Sequence, residues 1–209
     1  EYGSGSAVHL LFGGPNDLTS VGNQYILSTD LWSSSCRFRL AFGDFNHDLM
    51  ADLVLASADA PVAVLHGHLD GLHAAPLHSP AQPGQDSTWS AGAGEEELGI
   101  NVAAGDVTGD GNPDVIVEGP QRSLGVILGT ADGLSPTSTQ WAIPRRAEYA
   151  AISILPFSGG SHRWLATTTD LIESDGSTSA VAVLRGTTSG AAGPTTMWSQ
   201  DSPGIRGAA

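Results

Sequence analysis

"GDVTGDGNPDVIV", residues 105–117, sets Asp106, Asp110 and Asp114 at every fourth position and then runs into a β-branched apolar strand. Asp106, Thr108, Asp110, Asn112 and Asp114 stand at alternate positions, so a tightly turned loop can aim every other oxygen at one cation. A Ca²⁺ ion takes about six to eight hard oxygen ligands at roughly 2.3–2.6 Å, from carboxylates, backbone carbonyls and water. Gly109 and Gly111 permit backbone angles that a side chain would obstruct, and Pro113 rules out helix continuation. Three carboxylates this close repel one another without a cation, which favours a calcium loop over a solvated acidic turn.

The same frame recurs in "GDFNHDLMAD", residues 43–52. There Asp44, Asn46, Asp48 and Asp52 match, and Met50 offers its backbone carbonyl. His47 and Leu49 replace the two glycines, so the turn is expected to be strained and its site weaker. A third copy, "LPFSGGSHRWLAT" at 155–167, has Pro156, Gly160 and Trp164 where the aspartates would be and is expected to hold no metal. The expectation is therefore two Ca²⁺ sites.

Around these loops the chain repeats. Strands ending in a glycine turn recur as "VHLLFGG", "VAVLHGH", "LGVILGT" and "VAVLRGT", with Gly13, Gly67, Gly129 and Gly186 in steps of 54, 62 and 57 residues. Trp32, Trp89, Trp141 and Trp198 keep similar time and are expected in the core between units. Short runs of Val, Ile and Leu separated by Gly, Pro, Asp, Asn and Ser are strand-and-turn grammar, and about four strands fit each unit. The fold class expected is all-β, a β-propeller of four-stranded antiparallel blades buried on both faces. A β-sandwich competes but gives no reason for the period. The blades are expected at 33–90, 91–142 and, degenerate, 143–198, with a partial blade at 1–32 and the start of another at 199–209. Three full blades do not close a ring, so either a longer propeller or association with another copy is required.

These motifs identify a resemblance. "GDVTGDGNPDVIV", "GDFNHDLMADLVL", the "VAVLHG" and "GVILG" strands, the "DGL" at 70–72 and 132–134 and the tail "WSQDSPGIRGAA" resemble FG-GAP repeats, also called VCBS-type repeats. Such repeats form the blades of integrin α-subunit propellers and of many secreted bacterial proteins. The resemblance covers nearly the whole chain. It implies a seven-bladed ring, about half of it present here, with Ca²⁺ in the hairpin between the first two strands of a blade.

Composition narrows the function. Twenty-two acidic residues oppose eight arginines, and lysine is absent, leaving a formal charge of -14 that argues against nucleic acid as a partner. No lysine means no Schiff base and no P-loop. Cys36 is the single cysteine and reads as a buried thiol rather than a nucleophile. No apolar run is long enough to span a membrane. Calcium modules of about 10⁻⁴–10⁻³ M affinity suit millimolar calcium, which favours a secreted or cell-surface location.

A ligand site is expected at the rim opposite the calcium loops, on the segments "SSSCRFR", "GEEELGI" and "PRRAEYA". These carry Arg37, Arg39, Glu96, Glu97, Arg145, Arg146 and Tyr149, which either hold a polar ligand or pair with one another between blades. The stretch "HGHLDGLHAAPLH" presents His66, His68, His73 and His78. An H-x-H pair can bind zinc, yet no fixed carboxylate or cysteine ligand is apparent beside it, so a polar loop is the better account. Two functions remain open: a non-enzymatic module that recognises a protein or carbohydrate ligand, or a secreted hydrolase or biosynthetic cyclase using the charged rim. Catalytic residues cannot be assigned, since no G-x-S-x-G elbow occurs.

Overall fold

A run such as "DLVLAS" has no polar face, so a strand made from it needs an apolar partner on both sides. The computed structural model supplies both. It describes residues 7–13, 17–27, 38–57, 62–74, 101–118, 124–141, 147–155, 164–173, 176–187, 196–199 and 202–203. These residues are all-β, without a helix. No helix among them is long and apolar enough to cross a membrane.

Fourteen strands are described in chain order. β1 (Ala7–Gly13) and β2 (Leu18–Leu27) form a two-stranded hairpin. β3 (Phe38–Gly43), β4 (Asp52–Ser57), β5 (Ala63–His68) and β6 (Gly71–Ala74) follow as a four-stranded antiparallel meander. A second meander holds β7 (Val102–Gly105), β8 (Asp114–Glu118), β9 (Leu124–Thr130) and β10 (Gly133–Trp141). The third holds β11 (Ala147–Leu155), β12 (Trp164–Glu173), β13 (Gly176–Arg185) and β14 (Thr196–Ser199). The fourth strand of the first meander is the short "GLHA", reached through a two-residue turn within the stretch expected as a polar loop.

Strand alternation sorts the core into two layers. Leu53 and Leu55 of β4, with Ala63, Leu65 and Leu72, pack against Val8 and Ile26 of the β1–β2 hairpin. The intervening Val54 and Ala56, with Val62 and Val64, pack the opposite way onto Val115, Val117, Ile127 and Leu134 of the second meander. Side chains two apart share a face, so one buried strand serves both layers. Each Val, Leu or Ile among them contributes about 1.5–3 kcal/mol on burial, which makes these faces the main tie between successive sheets. The first strands of the meanders also adjoin, with β7 beside both β3 and β11.

Among the described residues, the hairpin and the third meander both leave apolar side chains exposed. Leu11, Tyr25 and Leu27 of the hairpin are 42, 64 and 45% exposed. In the third meander Val181 and Trp198, paired across β13 and β14, are 41 and 40% exposed. Trp198 thus departs from its expected core position, because no described strand lies over that face. Trp32, Trp89 and Cys36 lie outside the described residues.

Candidate metal centre

The two acidic loops occupy the same place in consecutive meanders. Residues 44–51 join β3 to β4 and residues 106–113 join β7 to β8, with Asp52 and Asp114 opening the second strands. Each loop wraps around its first aspartate. Asp44 accepts from the N–H groups of Asp48 (3.1 Å) and Leu49 (3.0 Å). Asp106 accepts from those of Gly109 (2.6 Å), Asp110 (3.1 Å) and Gly111 (3.0 Å). The central aspartates close the turn, Asp48 accepting from Met50 N–H and Asp110 from Asn112 N–H, both at 2.8 Å.

Wrapping this tight forces positive φ at two positions. In the loop 106–114 glycines take them, Gly109 at φ 79° and Gly111 at 96°. In the loop 44–52 they fall on His47 at 60° and Leu49 at 68°, the strain expected from the sequence. Leu49 is 94% exposed, so no burial offsets its backbone cost. His47 keeps one contact, its Nε2 lying 3.3 Å from the carbonyl oxygen of Thr130 in the next meander.

The last aspartate of each loop has a separate position. Asp52 and Asp114 are fully buried beneath the loops. Asp114 Oδ2 accepts from Val107 N–H (2.9 Å) and Thr108 N–H (3.0 Å), while Oδ1 accepts from Gly129 N–H on β9 (2.8 Å). Asp52 Oδ2 accepts from Phe45 N–H (2.7 Å) and Oδ1 from Gly67 N–H on β5 (2.8 Å). One carboxylate thereby ties the loop to the third strand of its sheet. The two glycines are required for that approach, because a Cβ on Gly67 would strike the Ala51 carbonyl and one on Gly129 the Pro113 carbonyl. Between the aspartates, Phe45 and Val107 turn inward, and Phe45 packs into the layer shared with the second meander.

Electrostatics separate the same roles. Met50 N–H and the Asn46 side chain hold the exposed Asp48 carboxyl below the usual aspartate range. Burial pushes Asp110 upward, yet the Asn112 backbone and side chain and the Thr108 hydroxyl outweigh it and leave the carboxyl lowered. Burial also pushes Asp114 upward and there prevails over its three N–H donors, with the charge of Asp110 adding to the rise.

The donor set fits a hard cation. Asp106, Thr108, Asp110 and the Asn112 carbonyl bring only oxygen to one loop, as do Asp44, Asn46, Asp48 and the Met50 carbonyl to the other. Thr108 Oγ1 stands 3.5 Å from Asp106 Oδ1, and Asn46 Nδ2 donates to Asp48 Oδ2 at 2.9 Å, so these side chains already converge in pairs. Asp52 and Asp114 each spend both oxygens on backbone N–H groups, although a carboxylate oxygen has a second lone pair. Among the described residues no group of three or more His, Cys, Asp or Glu side chains is already set to hold a metal ion.

Of the expected rim residues, Arg39 is exposed on β3, opposite Ala56 of β4. The backbone of Tyr149 pairs with Thr169 across β11 and β12. Arg37, Glu96, Glu97, Arg145 and Arg146 lie outside the described residues, as does the loop at 156–163. The comparisons found no matching family model, no matching curated protein and no matching solved structure.

Sequence reasoning treated Asp52 and Asp114 as ordinary ligands and missed their bond to the third strand. A signal was present, since the marker glycines Gly67 and Gly129 both follow their aspartate by 15 residues.

Proposed function

We propose that the chain is a calcium-stabilised segment of an extracellular β-propeller, built from FG-GAP-type repeats, that recognises a protein or carbohydrate ligand. The observation that carries this reading is the shared loop: two oxygen-rich turns with one hydrogen-bond scheme, at the same junction of consecutive four-stranded sheets. The face-to-face layers and adjoining first strands support the propeller arrangement of those sheets.

In this reading Ca²⁺ is structural. Asp106, Thr108, Asp110 and Asn112 hold one ion, and Asp44, Asn46, Asp48 and Met50 hold another, with Asp114 and Asp52 as the deeper acid of each loop. The ion neutralises carboxylates that the acidic chain otherwise crowds together, and it fixes a loop whose inward residues, Phe45 and Val107, are buried. The uncovered apolar faces of the hairpin and the third meander suit the remaining blades of the ring or another copy. Exposed Arg39 marks the rim offered to a ligand, with Arg37, Glu96, Glu97, Arg145, Arg146 and Tyr149 as its proposed companions.

Thermal unfolding in millimolar Ca²⁺ and in excess chelator tests the core of this reading. A midpoint several degrees higher with calcium is expected, since an ion that binds only the folded state stabilises it by mass action. Identical midpoints would overturn it. Carbohydrate-array and surface-protein binding by calcium-loaded protein, compared with Arg39→Ala, tests recognition, and binding indifferent to that change would remove the rim from the proposal.

A further inference from the structure

The β5–β6 hairpin carries a second set of donors, chemically unlike the first. His66 and His68 are two apart on β5, so they share a face. His73 on β6 stands directly opposite His66, and Gly71 stands opposite His68. Directly opposed residues of an antiparallel pair also share a face, so all three imidazoles rise from one side of the hairpin. The His68 and His73 rings meet edge to face with centroids 4.5 Å apart. Both histidines are exposed, while His66 is only partly so.

Two of the three imidazoles have a carboxylate at one ring nitrogen. Asp70 Oδ1 lies 2.9 Å from His73 Nε2. Asp52 Oδ2 lies 3.3 Å from His66 Nδ1, a nitrogen that is buried and has no hydrogen-bond partner. At His73 the hydrogen-bonded carboxylate orients the ring, as the outer partner of a metal-ligating histidine does, whereas at His66 the carboxylate lies close without a hydrogen bond. The sequence reading found no such carboxylate beside the H-x-H pair. Asp52 is brought there by the β4–β5 pairing, and Asp70 by the turn.

We propose that this face binds one late first-row divalent ion of the Zn²⁺, Cu²⁺ or Ni²⁺ class through His66, His68 and His73. Imidazole nitrogen suits these borderline ions, whereas Ca²⁺ requires oxygen. The two ion classes are thereby sorted to adjacent parts of the same sheet. Binding requires the exposed His68 and His73 rings to turn from their edge-to-face contact toward a common point, a rotation about side-chain bonds that the surface leaves free. Water completes the coordination.

Titration of Zn²⁺ into protein kept in saturating Ca²⁺, followed by calorimetry and by ¹⁵N–¹H imidazole spectra, tests this directly. One zinc per chain is expected, with resonances of His66, His68 and His73 shifting while those of His9 and His47 stay in place. His68→Ala and His73→Ala, both at exposed positions, should each weaken zinc binding at least tenfold without altering the calcium-dependent melting shift. His47→Ala, the control outside the hairpin, should leave zinc binding unchanged. Zinc that displaces calcium, shifts all seven histidines alike, or binds equally well to His68→Ala and His73→Ala would overturn the assignment, as would the absence of binding at 100 μM zinc, a concentration about tenfold above that of a 10 μM site (estimated from simple mass action).

Discussion

The loops 44–52 and 106–114 reach one hydrogen-bond scheme from different residues. Both coil around a first aspartate, and both send a last aspartate beneath the turn to a glycine of the third strand. They differ at the two left-handed positions, which glycine fills in one and His47 and Leu49 fill in the other. The comparison separates what the loop needs for its shape from what merely makes that shape inexpensive. Shape depends on the buried carboxylate and the glycine it meets, for these are common to both loops. Glycine within the turn sets the energy of the shape, and loop 44–52 tolerates its loss.

The largest effects should follow from attacking the common part. Asp114→Asn keeps the size of the side chain but turns one acceptor into an N–H₂ group facing the N–H of Gly129 or those of Val107 and Thr108. A buried donor left facing a donor costs about 1–3 kcal/mol, so a loss of roughly 2–3 kcal/mol is expected in chemical denaturation. Asp52→Asn should cost a similar amount through Gly67 and Phe45. If either variant melts like the parent, the buried carboxylate is not what sets the loop's shape. A pH signature accompanies the change. Because burial raises the folded Asp114 value above the ordinary 3.8, this group favours folding below 3.8, and that contribution is lost as pH rises through its folded value. Asp110, lowered on balance, contributes in the opposite sense: its stabilisation is present above 3.8 and is lost as pH falls through its folded value. Stability measured across that range should lose the first component in Asp114→Asn and keep the second.

Calcium removal should distinguish the loops next. An ion at a hundred times its dissociation constant stabilises by about 2.7 kcal/mol, so chelation should cost up to that for the stronger site. Loop 106–114 is expected to be that site, because its glycines let the turn tighten around an ion at lower backbone cost than His47 and Leu49 allow. Asp110→Ala should abolish the tighter calorimetric event and Asp48→Ala the weaker one. The reverse order would show that the threonine and glycines of loop 106–114 are worth less than the asparagine and His47 contact of loop 44–52.

How much of this was legible before folding follows from the range of each interaction. Alternate oxygens and the apolar "DVIV" behind them are local, so the loop, the strand after it and the strained His47 and Leu49 could all be read from residues within ten of one another. The continuous "DLVLAS" announced burial on both faces, and β4 does divide its side chains between two layers. Gly67 and Gly129 were visible only as a rhythm. Their meaning, a close approach that a Cβ would block, depends on where β5 and β9 lie relative to a loop in the same sheet. The carboxylate behind His66 was hidden for the same reason, because strand pairing and not sequence places Asp52 there. β6 was missed because four residues of "GLHA" carry too little alternation to distinguish a strand from a turn.

The smallest expected effects belong to the left-handed positions, and these sharpen the comparison most finely. Leu49→Gly removes a 94% exposed side chain from φ 68°, so it should stabilise the calcium-free protein by up to about 1 kcal/mol. His47→Gly relieves similar strain at φ 60° but gives up the Nε2 contact to the Thr130 carbonyl, so its gain should be smaller. The reciprocal changes, Gly109→Ala and Gly111→Ala, should each cost about 1 kcal/mol. Gly111→Ala is the cleaner of the two, since a Cβ there would meet no atom within 4 Å and its cost would report backbone strain alone. Calcium should leave these differences unchanged if the free loop already holds the turn, because an ion that binds both members of each pair alike stabilises both alike. A Leu49→Gly protein that gains stability only when calcium is present would instead mean that the free loop relaxes out of the left-handed conformation, and that the ion restores it.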